Sequence, residues 1–127
     1  MIWLYFALVL AAHEGSHALA LWGYGVPFAP RVWYSSDFPW LGFGWKYLID
    51  DVEPEQRRTI LTVGPIVEAI LWMVGALLFP PYFLGLIVMA GLTLLLNRVL
   101  PGGDLWKARR IRRPAPLPRL EAGATQG

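Results

Sequence analysis

Three long apolar stretches alternate with shorter polar segments along the chain, at about residues 2–22, 59–79 and 82–100. An α-helix needs about 20 apolar residues to cross the hydrocarbon core of a bilayer, and each stretch has about that length. Pro80-Pro81 leaves little chain between the second and third stretches, which predicts an antiparallel pair of helices joined by a tight turn. The pattern therefore predicts an all-α integral membrane protein with three transmembrane helices.

The first two predicted helices are joined by a long polar and aromatic loop at residues 23–58. Within this loop, the segment from Val26 to Tyr47 has the aromatic residues, glycines and prolines of a short β-hairpin, which we expect to lie at the membrane surface. Pro54-Glu55-Gln56 is typical of the first turn of a helix and leads into the second span. By length and pattern, residues 1–106 form one membrane domain.

Composition supports the membrane assignment and adds an orientation. Hydrophobic residues make up 56% of the 127 residues and charged residues only 16%, an apolar share above that of ordinary soluble domains. Basic residues precede the second span at Arg57-Arg58 and recur in the proline-rich tail at residues 107–127, which we expect to be disordered. By the positive-inside rule, the loop and the tail are cytoplasmic, so the N-terminus and the Pro80-Pro81 turn lie outside.

Two other interpretations fit the residues less well. Ala18-Leu19-Ala20 resembles the cleavage site of a signal peptide, but no Lys or Arg precedes the apolar run, and cleavage would remove both histidines. The basic residues of the tail suit contact with the anionic headgroups of the lipid bilayer. We therefore expect no nucleic-acid partner.

The strongest candidate for chemistry lies inside the first predicted helix. His13-Glu14-Gly15-Ser16-His17 has the pattern H-E-x-x-H and contains both histidines of the chain. Residues four apart lie on one face of a helix, so both imidazoles can bind one metal ion while Glu14 reaches a water molecule beside it. Such polar groups are costly in an apolar span and point to a function. Because the chain has no cysteine, histidine and carboxylate would hold the metal, which favours Zn2+.

A catalytic zinc site needs a third protein ligand besides an open position for water. Two carboxylates can reach the histidines: Glu68 inside the second span and Asp104 just beyond the third. Asp104 is favoured because Pro101-Gly102-Gly103 breaks the helix and can turn the carboxylate back towards the histidines. Glu68 would then be protonated in the membrane, support a zinc-binding imidazole, or serve helix packing.

The order of these motifs resembles the three-helix core of the site-2 proteases, which are intramembrane zinc metalloproteases. In that family, H-E-x-x-H is followed in the second helix by Gly-Pro-x-x-Asn, here Gly64-Pro65-Ile66-Val67-Glu68. The third helix carries Asn-x-x-Pro and ends in Asp-Gly, here Asn97 to Leu105. The resemblance covers about Leu4 to Lys107. Three features depart from it: Glu68 replaces Asn, the spacing up to Asp104 is one residue shorter, and Leu105 replaces Gly.

The resemblance implies that His13, His17 and Asp104 bind zinc. It implies that Glu14 is the general base of a metalloendopeptidase that hydrolyses peptide bonds in membrane-embedded protein substrates. Asn97 is expected to hydrogen-bond the substrate or the tetrahedral intermediate, and the aromatic loop to offer an edge for strand addition. Because the sequence contains no PDZ domain, we also expect an accessory substrate-selecting protein.

The alternative is a non-catalytic membrane protein that retains a metal site and acts through partner or lipid binding. Metal binding alone does not require Glu14, so the intact H-E-x-x-H pattern favours the enzyme.

Overall fold

The computed structural model describes residues 1–34, 36, 41–48 and 52–111. Three of its helical stretches are long and apolar enough to cross a membrane. The predicted architecture of three apolar helices with a small hairpin is confirmed. In chain order the elements are α1 (Ile2–Gly23), β1 (Ala29–Tyr34), β2 (Leu41–Lys46), α2 (Pro54–Leu78), a 3₁₀ turn (Pro80–Tyr82), α3 (Phe83–Val99) and α4 (Asp104–Arg110).

The helix α2 lies between α1 and α3 and packs against both. Their shared core contains Val9 of α1, Trp72 and Ala76 of α2, and Leu86 and Ala90 of α3, each at most 6% exposed. The alanines let the helix backbones approach closely, as small residues do in membrane helix pairs. The buried indole of Trp72 fills the space that remains between the helices.

Outside this core, many apolar side chains of the three long helices point away from the protein. Leu4, Leu77 and Leu84 are 70% to 75% exposed, one on each helix. Contiguous apolar surface of this kind is typical of a membrane interaction. The outer surface therefore agrees with the predicted lipid contact.

The helix α2 begins before the apolar stretch from which it was predicted. Glu53 is its N-cap, and Pro54 occupies the first turn. The Glu53 side chain accepts from the backbone of Gln56, whose side chain accepts in turn from the backbone of Glu53. This reciprocal pair, a capping box, satisfies backbone donors that would otherwise be unpaired. The predicted first turn at Pro54-Glu55-Gln56 is confirmed.

The loop after α1 contains the predicted β-hairpin. β1 and β2 pair antiparallel, with Ala29 opposite Lys46 and Arg31 opposite Gly44. Trp45 of β2 reaches α1, where its indole N–H donates to the backbone carbonyl of Glu14 at 2.9 Å. The hairpin is therefore attached to the helical turn that carries the H-E-x-x-H motif.

A tight turn joins α3 to α4. Gly102 has a φ of +90°, a conformation that glycine adopts without steric cost. The helix α4 then packs against α2 and α3. The predicted domain boundary after residue 106 therefore falls inside α4, and residues 107–110 are helical rather than disordered. The rest of the predicted tail, residues 112–127, lies outside the described residues.

Candidate metal centre

His13 and His17 lie one helical turn apart on α1, and both are buried, with 9% and 7% of their surface exposed. Their Nε2 atoms are 3.2 Å apart. Asp104 of α4 reaches the same point, because its Oδ2 lies 3.2 Å from Nε2 of His13 and 3.1 Å from Nε2 of His17. Two nitrogens and one oxygen thus form a nearly equilateral triangle.

The other ring nitrogen of each histidine has its own partner. Nδ1 of His17 donates to the backbone carbonyl of Ile60 at 2.6 Å, and Nδ1 of His13 donates to Oε2 of Glu68 at 2.6 Å. Each ring in its neutral form therefore presents a lone pair at Nε2. Together with the Asp104 carboxylate, three lone-pair atoms face one another. Such atoms repel unless a proton or a metal ion lies among them.

The size of the triangle suits a metal ion. Zinc binds imidazole nitrogen and carboxylate oxygen at about 2.0–2.2 Å. With sides of 3.1–3.2 Å, the centre of the triangle is about 1.8 Å from each atom, so the spacing of the three atoms is compatible with all three binding one zinc ion. His13, His17 and Asp104 could therefore hold a metal ion. Two imidazoles and one carboxylate occur in catalytic zinc sites and also in iron(II) sites.

Asp104 is positioned by Asn97. The backbone N–H of Asp104 donates to Oδ1 of Asn97 at 3.4 Å, and Nδ2 of Asn97 donates to the carbonyl of Thr93 at 2.9 Å. Burial raises the pKa of the Asp104 carboxyl, but hydrogen bonds and positive charge from His13 and His17 in their protonated forms outweigh burial and hold that pKa below its ordinary value. Asp104 is therefore ionised, which is the form in which a carboxylate can bind a metal ion.

Glu68 of α2 connects all three long helices beneath the histidines. While its Oε2 accepts from His13 of α1, its Oε1 accepts from the indole N–H of Trp72 at 3.1 Å and from the hydroxyl of Thr93 of α3 at 3.0 Å. A carboxylate on the outer nitrogen of a metal-binding imidazole fixes the ring orientation and increases its basicity as a ligand. Glu68 is thus placed to support His13, one of the three roles left open by the sequence.

Gly64 of α2 lies directly against the two imidazoles. A Cβ atom at this position would be 2.4 Å from Nε2 of His17 and 2.9 Å from Nε2 of His13. Because side chains essentially never approach so closely, only glycine leaves the space between the rings free. Pro65 follows it and is fully buried. The Gly64-Pro65 element therefore makes room for the metal centre.

A cavity of about 780 Å³ opens beside the centre and is lined by His17, Asp104, Asn97 and Trp45. Trp45 connects this cavity to the turn of α1 that contains Glu14. The Glu14 side chain is half-buried, and its carboxylate has no hydrogen-bond partner among the described residues. The Glu14 carboxylate is therefore available to accept a proton.

The structure brings together the residues that the sequence singled out. Asp104 faces the two Nε2 atoms, whereas Glu68, the other candidate for third ligand, contacts the opposite edge of His13. Asn97 supports the turn before Asp104 and lines the cavity. Its predicted contact with a substrate stays a prediction.

Three contacts of the centre were missed from sequence. The carbonyl of Ile60 could not have been found, because every residue has a carbonyl. Trp72 and Thr93 gave weak signals: Trp72 lies four residues after Glu68, on the same helical face, and Thr93 is a hydroxyl residue in an apolar span. Comparisons of the chain with protein-family models, with curated proteins and with solved structures gave no match.

Proposed function

We propose that the protein is an intramembrane zinc metalloendopeptidase that hydrolyses peptide bonds in membrane-embedded protein substrates. One observation carries the proposal: Nε2 of His13, Nε2 of His17 and Oδ2 of Asp104 converge at one point, and both histidines lie on an apolar helix of membrane-spanning length that also carries Glu14. The resemblance of the motif order to the site-2 proteases supports the same reaction. Zn2+ held by these ligands would polarise a carbonyl group and would lower the pKa of a bound water molecule towards neutrality.

The protein's own residues have separate roles in this proposal. Glu14 accepts the proton of the attacking water and returns it to the leaving amine nitrogen. Glu68 holds the His13 ring so that Nε2 faces the metal position. Asn97 keeps Asp104 in place through the turn between α3 and α4. The cavity lined by His17 and Asp104 gives a substrate access to the centre.

Metal analysis by mass spectrometry tests the centre directly. We expect about one zinc per chain in detergent-purified protein, lost in His13→Ala and weakened in Asp104→Asn. Iron in place of zinc would contradict the proposed metal, because the same ligand set also binds iron(II). Absence of any metal from well-folded protein, in zinc-supplied medium, would contradict the metal centre itself.

Glu14→Gln separates catalysis from metal binding. We expect this variant to retain its zinc and to lose about 100- to 10,000-fold in the rate of cleavage, the usual contribution of a general base. The assay uses the protein in phosphatidylcholine nanodiscs with a panel of labelled single-span model substrates. Full retention of a cellular phenotype by Glu14→Gln would instead favour the non-catalytic alternative.

A further inference from the structure

The described residues that line the cavity beside the candidate metal centre carry an excess of positive charge. Four cationic side chains line it: Arg31 and Lys46 from the hairpin, Arg57 from α2 and Lys107 from α4. Among the described lining residues, Asp104 is the acidic one, and its carboxylate faces the two histidines. Among the residues that the structure describes around this opening, the cations therefore exceed the carboxylates.

These cations have no acidic partner within the described part of the chain. The ion pairs found there involve His13, His17 and Arg58 but none of the four cavity cations. Arg31 lies 5.9 Å from the centre of the Trp33 ring. Burial raises the pKa of the Tyr47 hydroxyl, and the neighbouring Arg57 cation opposes that rise. A neutral ring beside Arg31 and a neutral hydroxyl beside Arg57 do not cancel the charge of either arginine, so both charges remain available to an anionic ligand.

We propose that the cations of this cavity bind an acidic segment of the substrate polypeptide, next to the bond that is cleaved. The inference rests on the proposed function, which places the scissile peptide at His17 and Asp104 in the same cavity. An extended chain leaving the metal centre along the hairpin would pass Arg31 and Lys46. Opposite charges in a partly enclosed cleft attract substrate and set its register.

Anionic lipid is the competing ligand, and the arrangement of the other arginines makes it the weaker candidate. Arg58, Arg98 and Arg109 line a separate cleft formed with Leu105 and Ala108. This second cleft offers positive charge to headgroups without involving the metal centre. The cavity cations are distinguished by sharing their space with His17 and Asp104.

The test compares two single-span substrates in phosphatidylcholine nanodiscs. Their sequences are identical except that one has Asp and Glu in the segment beside the membrane and the other has Asn and Gln. We expect the acidic substrate to have a lower KM by about three- to tenfold, the size expected of a few partly exposed ion pairs. Because this contact is remote from the reacting bond, kcat should be similar for both. Added salt should reduce the difference in KM between the two substrates, because it screens the ion pairs.

Matched variants identify the cations responsible. Arg31→Gln with Lys46→Gln should abolish the preference for the acidic substrate, whereas Arg31→Lys with Lys46→Arg should keep it. Arg98→Gln with Arg109→Gln removes the same charge from the other cleft. This variant should keep the wild-type KM for both substrates, since both side chains are exposed outside the cavity. Equal KM values for the two substrates in the wild type would overturn the inference, as would equal losses in the two glutamine variants.

A binding measurement separates this inference from the proposed reaction. The Glu14→Gln protein is titrated with the same labelled substrates, and binding is followed by energy transfer. If it prefers the acidic substrate but the wild type cleaves neither, the proposed function fails and the charge selection stands. If the wild type cleaves both substrates with no preference, the proposed function stands and the charge selection fails. If protein that keeps Arg31 and Lys46 binds the two substrates equally, and the Arg31→Gln/Lys46→Gln variant binds phosphatidylglycerol more weakly, the cavity is assigned to lipid and the inference is overturned.

Discussion

At the scale of single residues, Glu68 is the carboxylate that links the candidate metal centre to all three long helices. Its carboxylate accepts from His13, Trp72 and Thr93 at once. We expect Glu68→Gln to lower zinc affinity about 10- to 100-fold, because an amide holds the His13 ring less firmly and does not increase its basicity. Competition with a chromogenic zinc chelator measures the affinity.

Trp72→Phe is the control for Glu68. It removes one donor to Oε1 but leaves the contact between Oε2 and His13, so zinc affinity should fall less than in Glu68→Gln. If both variants bound zinc as the wild type does, Glu68 would have a packing role only. Retained affinity in Glu68→Gln alone would lead to the same conclusion.

Gly64 makes a second residue-scale prediction. In Gly64→Ala the new methyl group would occupy the space beside Nε2 of both His17 and His13, and we expect zinc binding to fall at least about tenfold, as when a ligand loses its support. Gly85→Ala is the matched control, because no atom lies within 4 Å of a Cβ placed there. Equal zinc content in the two purified variants would show that the rings can move aside.

The residue types of the centre could be predicted from sequence, but their arrangement could not. H-E-x-x-H fixes the relation of His13 to His17, since both lie on one helix and its geometry is regular. Asp104 and Glu68 remained alternatives because their positions depend on how separate helices pack. In the structure, Glu68 contacts Nδ1 of His13 and Asp104 contacts Nε2 of the same ring.

At the scale of elements, the turn between α3 and α4 determines whether Asp104 can reach α1. A Cβ on Gly103 would lie 2.3 Å from the backbone oxygen of Asn97. We therefore expect Gly103→Ala to shift the start of α4 and to reduce zinc affinity at least about tenfold, while the helical circular dichroism is maintained. Gly23→Ala, where a Cβ would meet nothing within 4 Å, is the control. Unaltered zinc affinity in Gly103→Ala would mean that the turn adapts.

The hairpin shows how much of an element the sequence can predict. Its aromatic and glycine-rich pattern predicted two strands between Val26 and Tyr47, and β1 and β2 lie within those bounds. The hydrogen bond from Trp45 to the carbonyl of Glu14 was not predictable, because it joins residues far apart in sequence through a backbone acceptor. The start of α2 was predictable from Pro54, since capping depends on local residues.

At the scale of the whole molecule, the packing of α2 assembles the centre. This helix provides Gly64, the Ile60 carbonyl and Glu68, although none of its residues is among the three candidate ligands. Apolar periodicity shows that a helix crosses the membrane but not at which depth it meets its neighbours. That depth follows from the buried contacts of Val9, Trp72 and Leu86.

The basic segments meet at one end of this assembly, which bears on its orientation. Arg58, at the start of α2, donates to the carbonyl of Ile111, just after α4, at 2.9 Å. The two basic clusters used to predict orientation therefore lie at the same end of the helix bundle. The positive-inside rule requires such an arrangement, and by that rule we expect this end to be cytoplasmic. We propose that the N-terminus and the turn at Pro80–Tyr82 face outwards.

The absence of cysteine from the natural sequence makes this orientation directly testable. Ser36→Cys introduces a thiol at an exposed position two residues after β1, and Tyr82→Cys introduces one in the turn between α2 and α3, where the side chain is 52% exposed. A membrane-impermeant maleimide applied to intact cells should label Tyr82→Cys but not Ser36→Cys, and both after permeabilisation. The opposite pattern would place the hairpin and the mouth of the metal cavity outside. Substrates would then reach the metal centre from that side of the membrane, because Arg31 and Lys46 of the hairpin line the cavity.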